Sequence, residues 1–569
     1  AFVFAADPDL EALKAQIAEM QKQIDQMNQF VTKNTKHTST DKLSIGAEFM
    51  SRFDSIQYKN VRALPDFASD MMGLWLGDSL VDTNDNYMLT PMGNMPGQDR
   101  WNDAFLDKYG ADFMSLYGTL MTTYGMDFDA FADLFSKREL TEQEAKVVAG
   151  MMSAIKPKKY DANNDWMLTN RLRLRLSSKV NENLSFAARL TMYKTYGDST
   201  PFHFFNGTMN SMAMDSNSAQ YPTDDALRVE RAYFVYSNSI GDVRWHFSFG
   251  RRPAAYGYGM ENRENAVLGG SPSGTIIQMN FDGASLGFDL EELTSVPGLN
   301  VKFCYGQGYE GGYGTLNSLN SQADVNDVHF FGAIVRLFDN EDYRFVYNWA
   351  HGYGLTDGFV GTAVFPFYVS GKDYNLDGKY DTYTLNPNYG GFVSRVEPMT
   401  EVGNIDIHSL FAQGNNFDFS WFASYSFSKT DPTNRSKNPM FQFMGQDKMF
   451  DGTGHGIWLG VMTPEIPYLK GKLGVEYNHG SRYWQPFMMT YDSQKLATRG
   501  DVYEVYYHQP VVGNNFFLTL GYLHYDYEYT NSGSFLGEPV KIKDATAFNT
   551  MMPVVDKVDQ LYLKMTYRF

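Results

Sequence analysis

The chain contains a single cysteine, Cys304, in 569 residues. One thiol cannot build an intrachain disulfide framework, and it leaves neither a thiolate metal cluster nor a CxxCH haem attachment. Long apolar runs are missing too: nowhere do about eighteen apolar residues follow one another, which excludes a transmembrane helix. Positive charge is in deficit, with 48 Lys and Arg against 66 Asp and Glu and a formal net charge of -18. That balance argues against a nucleic-acid binder and points to acidic, hydrated loops. No nucleophile and base stand at usable spacing. Asp406-Ile407-His408-Ser409 holds suitable residue types, yet strand alternation turns Ile407 away from its neighbours and no oxyanion device accompanies them. His408 suits a lumenal or girdle position, and no enzyme is expected.

What the chain has in excess is apolar and aromatic residues, 43% and 16%, with 38 Tyr and 43 Phe, at a mean hydropathy of only -0.39. Strands facing lipid on one side and water on the other give this composition. The last thirteen residues show such a strand: Leu561, Leu563, Met565, Tyr567 and Phe569 alternate with Tyr562, Lys564, Thr566 and Arg568. Another begins at Leu43, where Leu43, Ile45, Ala47, Phe49 and Phe53 oppose Ser44, Glu48, Met50, Arg52 and Asp54. If a barrel is present, these two strands must be neighbours at its seam.

Before them, Leu10, Ile17, Ile24 and Val31 fall at heptad position a, with Leu13, Met20 and Met27 at d. The pattern predicts a short coiled coil in a periplasmic region 1–40. Ala1 to Ala6 (AFVFAA) suits the apolar end of an export signal or a mature start just past one. The remainder, 41–569, is expected to form the barrel. Within it, residues 58–163 lose strand alternation, and Thr141-Glu142-Gln143-Glu144 forms a capping box ahead of Val147 and Val148. This stretch is a folded helical insertion after strand one, either outside the cell or in the lumen.

Beyond the insertion, tight turns alternate with long polar connections. The turns are Val180 to Asn183, Ser239 to Asp242, Leu293 to Gly298, Asp339 to Asp342, Gly414-Asn415, Pro464 to Pro467 and Val511 to Asn515. Short and long connections in alternation mark an outer-membrane barrel, here an all-β transmembrane barrel of about sixteen antiparallel strands with both termini periplasmic. Arg231 breaks the apolar side of Leu227, Val229, Tyr233 and Val235, and a phase slip near Asp282-Gly283 predicts a bulge there.

The segment Lys472 to Trp484, KLGVEYNHGSRYW, together with Phe249-Gly250-Arg251-Arg252-Pro253, resembles the strand-end signatures of a family of porin-like outer-membrane proteins. These largely uncharacterised proteins occur in anaerobic and metal-reducing bacteria and also start with a short coiled coil. The resemblance covers most of the chain and implies a sixteen-stranded porin, commonly trimeric, in a Gram-negative outer membrane. The helical insertion departs from a plain general porin.

Arg171, Arg173 and Arg175 project to one side of one strand, and Arg189 faces them from the hairpin partner. Each would cost about 2 to 4 kcal/mol against lipid at the midplane, so the lumen is their place. Arg244 and Arg252 follow the same alternation, and Arg52, Lys470, Lys472, Lys564 and Arg568 are expected to join them as pore-lining groups. Such a ladder in a water-filled constriction favours anions. The competing expectation is that the arginines pair with Glu48, Asp54 or Glu476, or with the insertion, and hold a plug.

In the loop at 371–383, Asp373, Asn375, Asp377, Lys379 (through its carbonyl) and Asp381 match the DxNxDG core of calcium loops. Thr384 stands where the bidentate Glu would be. Thirty methionines, including Met92 with Met95 and Met209, Met212 and Met214, suit packing of irregular volume better than soft-metal ligation. The expected function is passive diffusion of small hydrophilic solutes with mild anion preference, without a required cofactor. A plugged receptor or scaffold barrel, such as the sleeve of an electron conduit, is the alternative.

Overall fold

The computed structural model describes residues 20–23, 43–68, 70–71, 103–137, 139–197, 224–309, 325–357, 362–363, 367–387, 394–395, 398–546, 549 and 553–569. The export segment, the heptads of 10–31 apart from residues 20–23, and the methionine clusters at 92–95 and 209–214 lie outside these. Residues 20–23 are helical.

Sixteen antiparallel strands close into one barrel. They are β1 (Leu43–Ala63), β2 (Lys158–Lys179), β3 (Leu184–Gly197), β4 (Asp224–Ile240), β5 (Val243–Ala254), β6 (Ile277–Asp289), β7 (Asn300–Tyr309) and β8 (Val328–Asp339). The circuit continues with β9 (Tyr343–Thr356), β10 (Glu401–Asn416), β11 (Phe419–Pro432), β12 (Thr453–Met462), β13 (Lys472–Gly480), β14 (Gly500–Val512), β15 (Phe516–Tyr527) and β16 (Lys557–Arg568). Each strand pairs with its sequence neighbours, and β1 also pairs with β16, placing Glu48 opposite Arg568 and Arg52 opposite Lys564. That is the seam the end strands required. Among the described residues no helix is long and apolar enough to cross a membrane.

Alternation decides the faces. On β16, Leu561 is 52% exposed while Tyr562 is 1% exposed. Outward apolar side chains and inward polar ones are the arrangement of a wall between lipid and lumen. Six outward histidines on β8 to β15 are held by a tyrosine or aspartate of a neighbouring strand: His329 by Tyr305, His351 by Asp406, His408 by Tyr347, His455 by Tyr425, His479 by Asp501 and His524 by Asp559, at 2.7–2.9 Å. His408 is thus a girdle residue. Ser409, the next residue, points to the opposite face and is buried on the inside.

Two local expectations need correction. The expected bulge at Asp282-Gly283 is absent, because β6 keeps continuous register there with both neighbours. The bulge is at Glu230: Arg189 pairs with Arg231 and the next residue, Leu190, pairs with Val229. The extra residue reverses the phase, so Leu227 and Val229 face outward and Arg231 faces inward. Likewise the turn expected at Gly414-Asn415 is three residues later, at Phe417 and Asp418, with φ of 52° and 66°. A type I′ hairpin loop needs positive φ at both central residues whatever side chains stand there.

The insertion is shorter than 58–163, since β1 runs to Ala63 and β2 starts at Lys158. It carries α1 (Asp103–Tyr124), α2 (Phe128–Ser136) and α3 (Glu142–Ala154), and Thr141 and Glu144 form the expected capping box. These helices bury Leu120, Phe131, Val148 and Met151 against Val369 and Leu385 of a hairpin in the 357–400 connection and Met440 and Phe443 of the 433–452 connection. The result is a cap over the long-loop end with its own core.

Candidate functional site in the barrel lumen

Inward residues of β16, β1, β2 and β3 meet carboxylates from the wall and from two loops folded into the lumen. The connection 255–276 carries a helix, Met260–Glu264, and 481–499 carries a 3-10 turn, Tyr491–Ala497. Gly259, at φ 92°, opens the first of these helices directly under Trp458, where a Cβ would sit 2.4 Å from the indole. The β-carbon it lacks is what lets that loop enter the barrel.

Glu48 accepts from Arg171 at 3.0 Å, Arg173 at 3.4 Å, Arg175 at 3.1 Å and Arg568 at 2.7 Å. Asp492 takes Arg52 at 3.0 Å and Arg171 at 3.2 Å. Glu230 binds Arg189 and lies 3.2 Å from Arg173. Glu504 accepts from Arg263 at 3.0 Å, from Tyr562 at 2.8 Å and from Lys495, which also reaches Glu476 at 2.5 Å. Lys564 stands 3.6 Å from Glu264. Arg52 lies over Tyr562 and Arg173 over Tyr256, at 4.4 and 4.7 Å from the ring centroids. Except for Arg175, whose side chain is 45% exposed, and Arg568 at 19%, these charged groups are buried. Charges leave water only when paired, so this side of the lumen is sealed by mutual neutralisation. Burial alone would raise the Asp492 carboxyl, but Arg263, Lys564, Arg171 and Arg52 hold it well below the usual carboxylate range.

The wall formed by β5, β6 and β7 is different. Phe247 and Phe249 are exposed on the outside, which turns Arg244, His246, Ser248 and Arg252 inward. On β7, Phe303 is outward, so Lys302 and Cys304 face the lumen. Lys302 donates to Ser271 at 2.7 Å, a neutral partner. The one inward carboxylate among the described residues of these strands, Asp289, pairs with Arg244 at 3.4 Å near the turn end. There a hollow is lined by Ser237, Ser239, Arg244, His246 and Asn300. Basic, half-buried and short of acid, this wall contrasts with the neutralised one opposite.

Of the residues expected to line a pore, Arg52, Arg171, Arg173, Arg189 and Lys564 are drawn into the ion-pair network, and Arg175 and Arg568 border it. Arg244 and Arg252 belong to the basic wall. Lys472 begins the inner face of β13, half-buried. Lys470 departs from expectation: it sits exposed on the β12–β13 turn with φ of 57°, because the strand starts two residues later. Sequence reasoning missed Glu230, Arg263, Glu264, Asp492, Lys495, Glu504 and Lys302. Only Glu230 carried a signal, as the extra residue beside the misplaced Arg231.

In the loop at 371–383, Asp373 accepts from the amides of Leu376 and Gly378 at 2.7 and 2.9 Å, and Asp381 accepts from Tyr374 at 2.7 Å. Asn375 and Asp377 each accept from the amide two residues on, at 3.0 and 2.9 Å. Gly378 supplies the sharp turn at φ 85°. Among the described residues no group of three or more His, Cys, Asp or Glu is gathered closely enough to hold a metal ion. The oxygen set has the right chemistry for calcium, but here its carboxylates close on the loop's own amides.

A family described as "Protein of unknown function (DUF3373)" matches residues 161–569. No curated protein matches the chain. Among solved structures, Pseudomonas putida OprB at high pH is similar with 10% identity, over 94% of this chain and 96% of that one, at a TM-score of 0.40. In-vitro folded OmpT, an outer membrane protein of Vibrio cholerae, has 12% identity over 71% and 92%, at 0.36. Salmonella typhi OmpF in complex with daunomycin has 11% identity over 73% and 94%, at 0.35.

Proposed function

We propose, from the premise that the chain belongs to the DUF3373 family, that it is a porin-type barrel of the bacterial outer membrane with a one-sided passage for small hydrophilic solutes. The observation that carries this is the contrast between two lumenal walls. One is neutralised and packed; the other, β5 to β7, offers Arg252, Lys302 and His246 with acid only at the mouth. Solutes diffuse passively, and no bond is made or broken. Width and field select among them, and the field favours anions. The source of that preference shifts from the Arg171–Arg189 ladder, whose charge is largely balanced, to the opposite wall. In this reading the termini and short turns lie in the periplasm and the helical cap outside the cell. A homotrimer belongs to the same proposal, with the heptads of 10–31 giving protomers a means to associate.

A second reading is favoured by the buried ladder: a plugged receptor or scaffold, such as the sleeve of an electron conduit, with no steady opening. Planar-bilayer recording of the purified protein separates the two. A steady conductance with an anion-selective reversal potential under a salt gradient is expected. Silence at all voltages, with a multihaem cytochrome retained through purification, would select the plugged reading.

A further inference from the structure

The three strands of the basic wall place their inward side chains in rungs. His246, Gly287 and Lys302 share one rung, Ser248, Ser285 and Cys304 the next, and Gly250, Gly283 and Gly306 the one above. The middle rung is lined with small donors. The hydroxyls of Ser248 and Ser285, 2% and 3% exposed, are buried without a hydrogen-bond partner, as is Nε of Arg252. A native protein leaves such groups unsatisfied only rarely.

Arg252 lies beyond Gly250 on the same strand, and its guanidinium reaches Cys304 beside the ring of Phe281, which lies over Gly306. From below, the ring of His246 lies across Gly287, where a Cβ would be 2.2 Å from it. Arg252 and Lys302 thus flank the serine and cysteine rung from opposite ends, and beside it a recess is lined by Arg252, Ser271, Cys304, Phe281, Phe330 and Ile334. No carboxylate of these strands enters: Asp282 faces outward with Arg251 at 2.6 Å, and Asp289 stays at the mouth with Arg244.

We propose that this recess is a binding site for a small oxyanion, a carboxylate or phosphate group, held by Arg252 and Lys302 and by the hydroxyls of Ser248 and Ser285. An oxyanion is the ligand that supplies both missing items, negative charge and several acceptor oxygens, and its geometry suits a guanidinium fork. A cation would meet two like charges, and a neutral solute would leave both cations unbalanced. The site deepens the one-sided passage, on which it rests for the route by which the anion arrives.

Cys304, the only thiol, reports on the site without any need for conduction. The purified full-length protein in detergent is labelled with an anionic methanethiosulfonate carrying a sulfonate and with a cationic one carrying a trimethylammonium group. The anionic reagent is expected to react about tenfold faster or more, and millimolar phosphate or acetate to slow it while chloride at matched ionic strength does not. Protection by phosphate alone or acetate alone identifies the group preferred. Arg252→Gln with Lys302→Gln is expected to abolish both the preference and the protection; should that variant not fold, the competition in the unaltered protein still decides. Equal rates for the two reagents, no labelling by either, or equal slowing by chloride overturns the site. Conductance without oxyanion protection retires the site and keeps the passage; protection without conductance does the reverse.

Discussion

Glu48 and Arg568 meet at 2.7 Å across the seam, although 520 residues separate them in the chain. The same carboxylate receives Arg171, Arg173 and Arg175 from β2 on its other side. One buried acid therefore ties the strand that closes the barrel to the strands that open it.

Removing that acid leaves buried Arg171 with Asp492 and buried Arg173 with Glu230, and breaking one buried pair costs up to about 3–5 kcal/mol. Glu48→Gln is expected to lower the temperature at which the barrel loses its heat-modifiable gel mobility and to reduce its urea midpoint. Arg175→Gln, with a side chain 45% exposed, is expected to cost about 1 kcal/mol or less. Equal effects from the two substitutions would show that Glu48 is not the hub.

Selectivity is expected to follow the basic wall. Neutralising Arg252 and Lys302 together should lower the anion-to-cation permeability ratio obtained from reversal potentials under a salt gradient. Arg171→Gln should act on stability instead, since Glu48 and Asp492 already oppose that charge at 3.0 and 3.2 Å. A ratio that responds to Arg171 and ignores Arg252 would return selectivity to the ladder.

Acid should loosen the lumenal loop at 481–499. Asp492 has a carboxyl held below its ordinary range by Arg263, Lys564, Arg171 and Arg52 against the opposing effect of burial. A depressed carboxylate contributes stability that is whole above its unfolded pKa of about 3.9 and is lost as pH falls toward the folded value. Conductance and current noise should therefore rise below about pH 4, and Asp492→Asn should bring part of that rise to neutral pH. A flat profile from neutral to acid, in both proteins, would count against this role.

Calcium in the 373–381 loop is a proposal with a simple readout. Millimolar calcium, compared with chelator, should raise the melting temperature of the cap in the unaltered protein and not in an Asp373→Asn, Asp377→Asn double variant. Identical melting in calcium and chelator would leave the loop as a turn closed by its own amides, as the bonds from Leu376 and Gly378 to Asp373 describe it.

The wall of the barrel was legible because each strand has two solvents: the alternation of Leu561 with Tyr562 and of Phe49 with Glu48 encodes its faces, and hence the seam. The arginines were placed inward for the same reason. Their partners were not legible, because Arg263, Asp492 and Lys495 come from loops whose inward folding depends on distant contacts such as Gly259 under Trp458. Composition misled where backbone geometry and side-chain preference part company. Gly283 suggested a bulge and instead keeps a rung smooth, while the true bulge falls at Glu230 with no glycine or proline to mark it.

The outward histidine, tyrosine and aspartate pairs end the apolar band abruptly: Asp559 is bonded to His524 and Tyr522, and Leu561, next on that face, is already 52% exposed apolar surface. From Asp559 to Phe569, at about 3.3 Å per residue and a tilt of about 40°, the strand climbs about 25 Å. A typical hydrocarbon layer is about 30 Å thick, and the bacterial outer membrane is thinner than average. The barrel thus carries its own gauge of bilayer thickness. In a thicker membrane the polar ring would be dragged into hydrocarbon or the lipid would have to compress around it, so the girdle discriminates between membranes by mismatch alone, before any solute is considered.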